Sequence, residues 1–256
     1  MTVRTVPARA LAAAGTVAVL LAGLVGCASA EDDKDPEHRS FALPGKTLTV
    51  DSDDAALEVV AGDRAADGRI EVTRWFSGSV TLGKDPEVSW RMTEDRLVLR
   101  MRCSGFIADC SARYRIEVPR GVAVTVRDGD GSVRASGFRD PLDIRTKDGS
   151  LHVTDSTGPL RLRTDDGSLR AEVSARRVDA RTGDGSVRLT LGAVPDGVRA
   201  QSGDGSVSVT VPEAAYKLTT STGDGSVRAD VRRDDASPHV LDVRTKDGSI
   251  TVRTAN

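Results

Sequence analysis

The stretch RTGDGSVRLTL, from Arg181 to Leu191, contains the pattern that decides the fold of this chain. Its core, Asp-Gly-Ser, occurs seven times, and successive copies of the Asp are 18, 18, 18, 20, 20 and 23 residues apart. A nearly constant period of this length is typical of a repeat architecture. The residues predicted to form the turns are Asp130, Gly131, Asp148, Gly149, Asp166, Gly167, Asp184, Gly185, Asp204, Gly205, Asp224, Gly225, Asp247 and Gly248.

Between the triplets, apolar and polar residues alternate with a period of two. In LDIRTKDGSLHV, Leu142 and Ile144 fall on one side of the chain and Asp143 falls on the other. After the turn, Leu151 and Val153 continue the apolar side. This period is typical of β-strands and does not fit a helix. Each repeat is therefore predicted to contain two strands with an inward apolar face.

An Asp-Gly turn between two strands also fits a β-hairpin, so a meander of hairpins is the alternative fold. We favour a solenoid because the same residue types recur at the same offset in every repeat, which lets equivalent residues stack in ladders. The predicted fold is all-β, a single-stranded right-handed parallel β-helix with about 18–20 residues per rung. Residues 122–256 form the regular rungs. Residues 41–121 form irregular rungs with longer loops, or else a separate small β domain.

The amino terminus has the features of an export signal. Arg4 and Arg9 precede an apolar run from Ala10 to Val25, and Leu24-Val25-Gly26-Cys27 resembles the lipobox of bacterial lipoproteins. Residues 1–26 are therefore predicted to be a signal peptide, with lipid attached to Cys27. An ordinary secretory signal that ends near a Cys is the alternative. Residues 27–40 comprise the lipidated Cys and a polar tether, and the domain is expected on the outer face of the bacterial cell membrane.

Charge and cysteine content agree with export. Removing the signal lowers the count of Lys and Arg from 36 to 34 against 38 acidic residues, so the net charge falls from −2 to −4, which argues against nucleic acid as a partner. Cys103 and Cys110 are close in sequence and are expected to form a disulfide in an oxidising compartment. Free thiols and a metal site are the alternatives, but the three His residues are far apart in sequence. No metal or cofactor is expected.

These features together resemble a known family. The lipobox, the alternating strands, the Cys-loop-Cys, the strand IEVPRGV at residues 116–122 and the repeated Arg-Thr-x-Asp-Gly-Ser are similar to bacterial β-strand-repeat proteins that carry the name "putative adhesin" and have no assigned function. The resemblance covers roughly Leu48 to Thr254. It implies a parallel β-helix at the cell surface, and it brings no catalytic residues to this chain.

Two columns of basic residues are predicted to point outward from the repeats. They are candidates for binding an anionic envelope polymer, because Arg suits phosphate and carboxylate groups. The alternative is a solvated face with cross-strand ion pairs. Calcium binding by the stacked Asp residues is less favoured than a turn role, since the loop lacks a coordinating Glu. The candidate polymer-binding residues are Arg127, Arg134, Arg145, Arg163, Arg170, Arg181 and Arg188.

An enzyme is not expected, because nearly every charge belongs to the repeat and no nucleophile elbow is present. The aromatic residues Trp75, Phe76, Trp90 and Phe106 are expected to cap the core, with sugar stacking as the alternative. The last rung, Leu241 to Thr254, is expected to leave an open edge for a second copy or a partner protein. The predicted function is an adhesin-like binding module for an envelope polymer or protein. The alternatives are a non-catalytic structural spacer or accessory subunit of an envelope complex, and an enzyme acting on envelope polysaccharide.

Overall fold

The computed structural model describes residues 29–30, 33–62 and 68–255, so the predicted signal segment and Cys27 lie outside it. Its regular elements are strands. None of the described residues belongs to a helix that is long and apolar enough to span a membrane. The strands are β1 (Glu37–Ala42), β2 (Thr47–Ser52), β3 (Ala56–Gly62), β4 (Arg69–Thr93), β5 (Arg96–Pro119), β6 (Ala123–Arg127), β7 (Val133–Ser136), β8 (Leu142–Thr146), β9 (Leu151–Thr154), β10 (Leu160–Asp166), β11 (Leu169–Val173), β12 (Arg177–Asp184), β13 (Val187–Leu191), β14 (Gly197–Asp204), β15 (Val207–Val211), β16 (Ala215–Ser221), β17 (Val227–Asp230), β18 (Arg232–Arg233), β19 (Val240–Asp247) and β20 (Ile250–Thr254).

Each regular rung consists of two strands joined at an Asp-Gly-Ser corner. The strands β8 and β9 flank one corner, and β10 and β11 flank the next. Strand β8 pairs in parallel with β10, which places Leu142 beside Leu160. Strand β9 pairs in parallel with β11, which places Leu151 beside Leu169. Equivalent residues of successive repeats therefore lie in register, and the predicted all-β parallel solenoid is confirmed.

The apolar side of each strand faces a single core shared by two sheets. Leu142, Ile144, Leu151 and Val153 are at most 1% exposed, as are most of their equivalents in the other regular rungs. The first sheet contains β2, β6, β8, β10, β12, β14, β19 and β16, and the second contains β3, β7, β9, β11, β13, β15, β20 and β17. Outward residues of the two sheets thus lie on two different faces of the stack, which we call the first face and the second face.

The rungs do not stack in sequence order at the carboxyl-terminal end. Strand β19 lies between β14 and β16, and β20 lies between β15 and β17. The segment from Leu241 to Thr254 is therefore paired on both sides, and the prediction that it forms an open edge for self-association is wrong. The outer rung is β16 with β17. Strand β18 covers only the first two residues of β16, Ala215 and Tyr216.

The other end is interleaved in the same way. Strands β2 and β3 lie between β5 and the rung β6–β7, so residues 41–62 share the stack with the regular rungs. The first half of β5 pairs with β2 and its second half with β3. Strand β4 runs antiparallel to β5, and β1 runs antiparallel to β4. These antiparallel strands close this end of the stack.

Trp90 belongs to the core beneath this antiparallel end. It is 4% exposed, and its ring lies 6.2 Å from those of Phe41 and Tyr114. The guanidinium groups of Arg39 and Arg74 lie 4.5 and 5.0 Å from the centre of the ring, at cation–π distance. The expected capping role is therefore met at Trp90. Phe76 is partly buried against the core, and Trp75 packs on Arg113. Phe106 differs, since it is 83% exposed.

Glycine is required at every corner by close contact, and at five of the seven corners also by backbone conformation. Gly185 has a φ of 141°, which L side chains rarely adopt. A Cβ atom there would also collide with the carbonyl oxygen of Gly167 in the neighbouring rung. The same close approach repeats at the other corners. The ladder of corner glycines is therefore a condition for stacking the rungs.

A column of buried hydroxyl groups satisfies the corner carbonyls. Thr182 Oγ1 donates to Gly167 O at 2.9 Å, and Ser202 Oγ donates to Gly185 O at 2.7 Å. Thr245 Oγ1 donates to Gly205 O at 2.8 Å. A buried carbonyl without a partner costs free energy, so these hydroxyls explain why Thr or Ser stands two positions before the corner Asp.

Asp128 occupies this hydroxyl column between Ser52 and Thr146, and it is 9% exposed. Burial raises its pKa to about 7, and the carboxylates of Asp54 and Asp130 act in the same direction. The Ser52 hydroxyl and the Gly131 amide oppose this shift, although neither Asp128 oxygen makes a hydrogen bond of good geometry in the described part of the chain. The hydroxyl column thus contains one carboxyl group, that of Asp128, and burial favours its neutral, protonated form.

Candidate binding face

The first predicted column of basic residues lies on the first face. Arg145, Arg163 and Arg181 stand side by side on β8, β10 and β12, with Arg127 next to Arg145. Adjacent strands are about 4.8 Å apart, so the guanidinium groups are closely spaced. Gln201 follows Arg181, and Arg244 follows Gln201, because β19 is inserted after β14. The interleaved order therefore continues the column that Gln201 would otherwise end.

The second predicted column lies on the second face. Arg134, His152, Arg170 and Arg188 are neighbours on β7, β9, β11 and β13 of the second face. Arg170 donates to Glu172 and lowers the pKa of that carboxyl through the hydrogen bond and its charge. Arg134 and Arg188 make no ion pair with any described residue. The two columns therefore belong to different sheets, and variants of one column leave the other column unchanged.

Acidic residues pair with the first column in a regular pattern. Asp143, Asp179 and Asp242 stand in a neighbouring outward column, alternating with Arg161 and Arg199. Each of these Asp residues contacts one Arg on its own strand and one on an adjacent strand. The nitrogen–oxygen distances are 3.3 Å for Arg145–Asp143, 3.4 Å for Arg161–Asp143, 2.7 Å for Arg181–Asp179, 3.9 Å for Arg163–Asp179, 2.7 Å for Arg244–Asp242 and 3.5 Å for Arg199–Asp242.

This pairing leaves a surplus of positive charge on the first face. Each Asp is shared by two Arg residues, so each cluster has a net charge of +1. The clusters recur every two rungs, which is on the order of 10 Å along the stack. The paired Arg side chains are also held in place, because each is anchored by a carboxylate. The face can therefore present oriented cations at a regular interval.

An open groove of about 730 Å³ runs beside these clusters. It crosses β6, β8, β10, β12, β14 and β19 at the point where each strand begins. Its floor includes Pro141, Pro159 and Val240, and Val240 is 39% exposed. Its charged lining is four acids and three bases, namely Asp143, Arg161, Arg177, Asp179, Asp196, Arg199 and Asp242. The surplus positive charge of the clusters therefore comes from residues beside the groove, namely Arg145, Arg163, Arg181 and Arg244. The groove offers an elongated ligand an apolar floor and a row of charges along one side.

The corner Asp residues form an acidic ridge at the edge of both faces. Burial raises the pKa of Asp130, with further contributions from Asp54 and Asp148. The pKa of Asp166 is raised by burial and by the charges of Asp184 and Asp148. Among the described residues, no three His, Cys, Asp or Glu side chains form a group that could hold a metal ion. Asp166, Asp184, Asp204 and Asp247 are the last residues of their strands, and the Gly and Ser that follow each of them connect it to the second strand of the rung.

The sequence predicted the two basic columns and offered cross-strand ion pairs as an alternative, but it identified neither the groove nor the acidic residues that make these pairs. The signal for the partners was present, since the residue two positions before the column reads Asp143, Arg161, Asp179, Arg199 and Asp242 in stacking order. The groove left no such signal, because its floor is built from the irregular segments that begin each first-sheet strand. Cys103 and Cys110 form a disulfide with a Cα–Cα distance of 6.2 Å, on the opposite edge of the molecule from the groove floor.

Comparison with solved structures supports the fold. The structure of a "putative adhesin" from Bacteroides fragilis NCTC 9343 superposes with a TM-score of 0.54 at 14% identity, covering 87% of this chain and 98% of the other. A "putative adhesin" from Parabacteroides merdae ATCC 43184 gives a TM-score of 0.45 at 11% identity, covering 87% of this chain and 97% of the other. No curated protein matches the sequence.

These structures have low sequence identity to the chain and therefore show only its fold, whereas a family profile identifies its family. The profile described as Toastrack DUF4097 matches residues 115–253, which is more than half of the chain and includes the whole of the first-face groove. The chain therefore belongs to the Toastrack DUF4097 family.

Proposed function

We propose that this protein is a non-catalytic binding module of the bacterial envelope, and that the first-face groove takes an extended, acidic polymer. Lipid on Cys27 would hold the domain at the outer face of the cell membrane. The ligand would lie along the stack with its apolar parts on the proline-lined floor. Its acidic groups would meet the surplus guanidinium charge of the clusters.

The groove is the observation that carries this proposal. It crosses six neighbouring strands without interruption, so it fits an elongated ligand better than a compact one. Arg also binds carboxylate and phosphate groups with defined geometry. The structural neighbour from Bacteroides fragilis is named a "putative adhesin", which agrees with a binding role.

Two charge-matched variants test the proposal. The first carries Arg145→Gln, Arg163→Gln and Arg181→Gln on the first face. The second carries Arg134→Gln, Arg170→Gln and Arg188→Gln on the second face, so each loses three positive charges. Retention of the lipid-free chain from Ala28 to Asn256 would be measured on isolated envelope fractions and on acidic polymers over a series of salt concentrations.

We expect the first-face variant to lose retention, because Asp143 and Asp179 would then repel an acidic ligand. The second-face variant should be retained like the unmodified chain. Equal losses in both variants would show that overall charge governs binding and would contradict a role for the groove. Absence of retention at every salt concentration would leave the spacer interpretation.

A further inference from the structure

The antiparallel ribbon formed by β4 and β5 extends beyond the stack as an arm. We define the β4–β5 arm as residues 77–87 with residues 102–111. Pairing continues along it, with Gly78 opposite Cys110, Thr81 opposite Ile107 and Gly83 opposite Gly105. In a regular rung the two strands are joined by a short corner, whereas here the two halves of β5 are joined through the arm. A short corner would be enough to join the two halves of β5, so the rung does not need the arm in order to pack.

The tip of this arm is apolar and exposed. Leu82 and Phe106 are each 83% exposed, and Ile107 is 54% exposed. These three are the most exposed large apolar side chains among the described residues; the others are Val227 at 44% and Val240 at 39%. Clusters of exposed apolar side chains usually mark a contact with another apolar phase or surface.

The arm is built to keep these side chains outward. The Cys103–Cys110 disulfide closes the loop that carries Phe106 and Ile107. Leu82 is held at a φ of 55°, a left-handed conformation that a Leu disfavours. Such outliers are found where the surrounding structure imposes them, often at functional positions. Exposed apolar side chains without a function would need neither the disulfide nor the left-handed conformation of Leu82.

The segments around Leu82 and Phe106 lack charge, and Lys84, Asp85 and Asp109 follow directly after them. No Asp, Glu, Lys or Arg occurs from Ser77 to Gly83 or from Cys103 to Ala108. Charged side chains resist transfer into lipid, so their absence here suits contact with a bilayer. Three side chains on a convex tip are too few for a typical protein interface, which buries about 800 Å² on each partner.

The base of the arm is fixed close to the predicted lipid anchor. The amide of Phe76 donates to Asp33 Oδ2 at 2.9 Å, and this bond contributes most to the lowered pKa of Asp33. Cys27 is six residues before Asp33, so the chain between them spans roughly 20 Å at most. A weak apolar contact becomes effective when a tether already holds it near the surface.

We propose that the tip of the β4–β5 arm inserts into the lipid surface beside the anchor, so that Leu82, Phe106 and Ile107 form a second membrane contact. This proposal rests on the proposed attachment of Cys27 to the membrane. With two contacts, the domain would have a defined orientation on the bilayer. The first-face groove would then be presented at a fixed angle to the envelope rather than rotating about a single tether.

The test uses the chain from Ala28 to Asn256, which retains all twenty strands, with an amino-terminal hexahistidine tag in place of the lipid. The tag is bound to phosphatidylglycerol vesicles that contain a nickel-chelating lipid and lipids brominated in their acyl chains. The Phe106→Trp variant reports insertion by a blue shift and by loss of fluorescence. A matched Val227→Trp variant places the reporter at the opposite end of the stack, and the unmodified chain gives the background from Trp75 and Trp90.

We expect most of the added emission of the Phe106→Trp variant to be lost, whereas the Val227→Trp variant should keep its emission. Adding Leu82→Ser to the Phe106→Trp variant should reduce this loss several-fold. Unchanged emission from the Phe106→Trp variant would overturn the proposal. A blue shift that occurs only when membrane proteins are added would also overturn it. The tag replaces the lipid, so a negative result in this experiment says nothing about whether Cys27 is lipidated. The groove is tested separately, by retention on acidic polymers.

Discussion

Replacing Asp128 by Thr should stabilise the protein in a pH-dependent way. Asp128 stands in the hydroxyl column, where other rungs have Thr or Ser, and burial raises its pKa to about 7 from 3.8. An acid with a raised folded-state pKa favours folding while it is protonated. Its contribution to the free energy of unfolding is therefore greatest below the unfolded-state pKa, is lost as the pH rises to about 7, and is constant above that value.

The expected magnitude follows from the size of the shift. A difference of about three pH units corresponds to about 4 kcal/mol, at 1.36 kcal/mol for each unit. Thr would remove this charge, and its hydroxyl could donate to a corner carbonyl, a hydrogen bond worth about 1 kcal/mol at any pH. The advantage of Asp128→Thr over the unmodified chain should thus grow by about 4 kcal/mol between about pH 4 and about pH 8.

Denaturant unfolding of both proteins over this pH range measures the advantage directly. Other carboxyl groups titrate in both proteins, so their effects cancel in the difference. Asp235→Asn, which alters an exposed acid outside the corners, serves as the control and should show little pH-dependent difference. An advantage of Asp128→Thr that is the same at the two ends of the pH range, or that decreases as the pH rises, would refute a raised pKa of Asp128 in the folded protein.

Three further predictions concern the stack. Amide hydrogen exchange should be faster in β17 and in residues 217–221 of β16 than in β19 and β20, because only β19 and β20 pair with a strand on both sides along their length; the reverse order would contradict the interleaved stacking. Gly185→Ala should lower the free energy of unfolding by about 2–4 kcal/mol through its positive φ and its collision with the next rung, whereas Gly197→Ala, which meets no atom within 4 Å, should cost much less in the same denaturation experiment. Thr182→Val should cost about 1–2 kcal/mol by removing the hydrogen bond to a corner carbonyl, and thermal unfolding should show a smaller change for the exposed Thr190→Val.

The fold class and the inward residues could be predicted because both follow from local patterns. Alternation fixes which side chains face the core, and the constant offset fixes which residues stack. The order of the terminal rungs could not be predicted in this way. Every rung presents the same types of inward residue, so Val198 can pair with Leu218 as readily as with Leu241, its actual neighbour. The choice depends on the connections between rungs, which have no repeating pattern.

The candidate site was predictable to a similar degree. The outward Arg residues follow from alternation, but their division between the two faces depends on how each corner folds the rung. The exposure of Phe106 could not be predicted, because aromatic residues near the end of a solenoid usually cover its core. Trp90 does so, and the arm places Phe106 beyond the reach of that core. Lipidation of Cys27 stays a prediction.

The interleaved order of the carboxyl-terminal rungs determines the order in which their strands can pair during folding. Up to β15, each regular rung can join a partner made about 20 residues earlier, so the stack can grow while the chain is still emerging. Strands β16 and β17 have no complete neighbouring rung until β19 and β20 have been synthesised. Before that, only the short strand β18 can pair with β16, at its first two residues. Strands β19 and β20 must close a loop of 43 residues, from Val198 to Leu241, to reach β14. We expect β16 to occupy the vacant edge of β14 first and to be displaced later. The slowest event in maturation would then be an exchange of partners between two nearly equivalent strands.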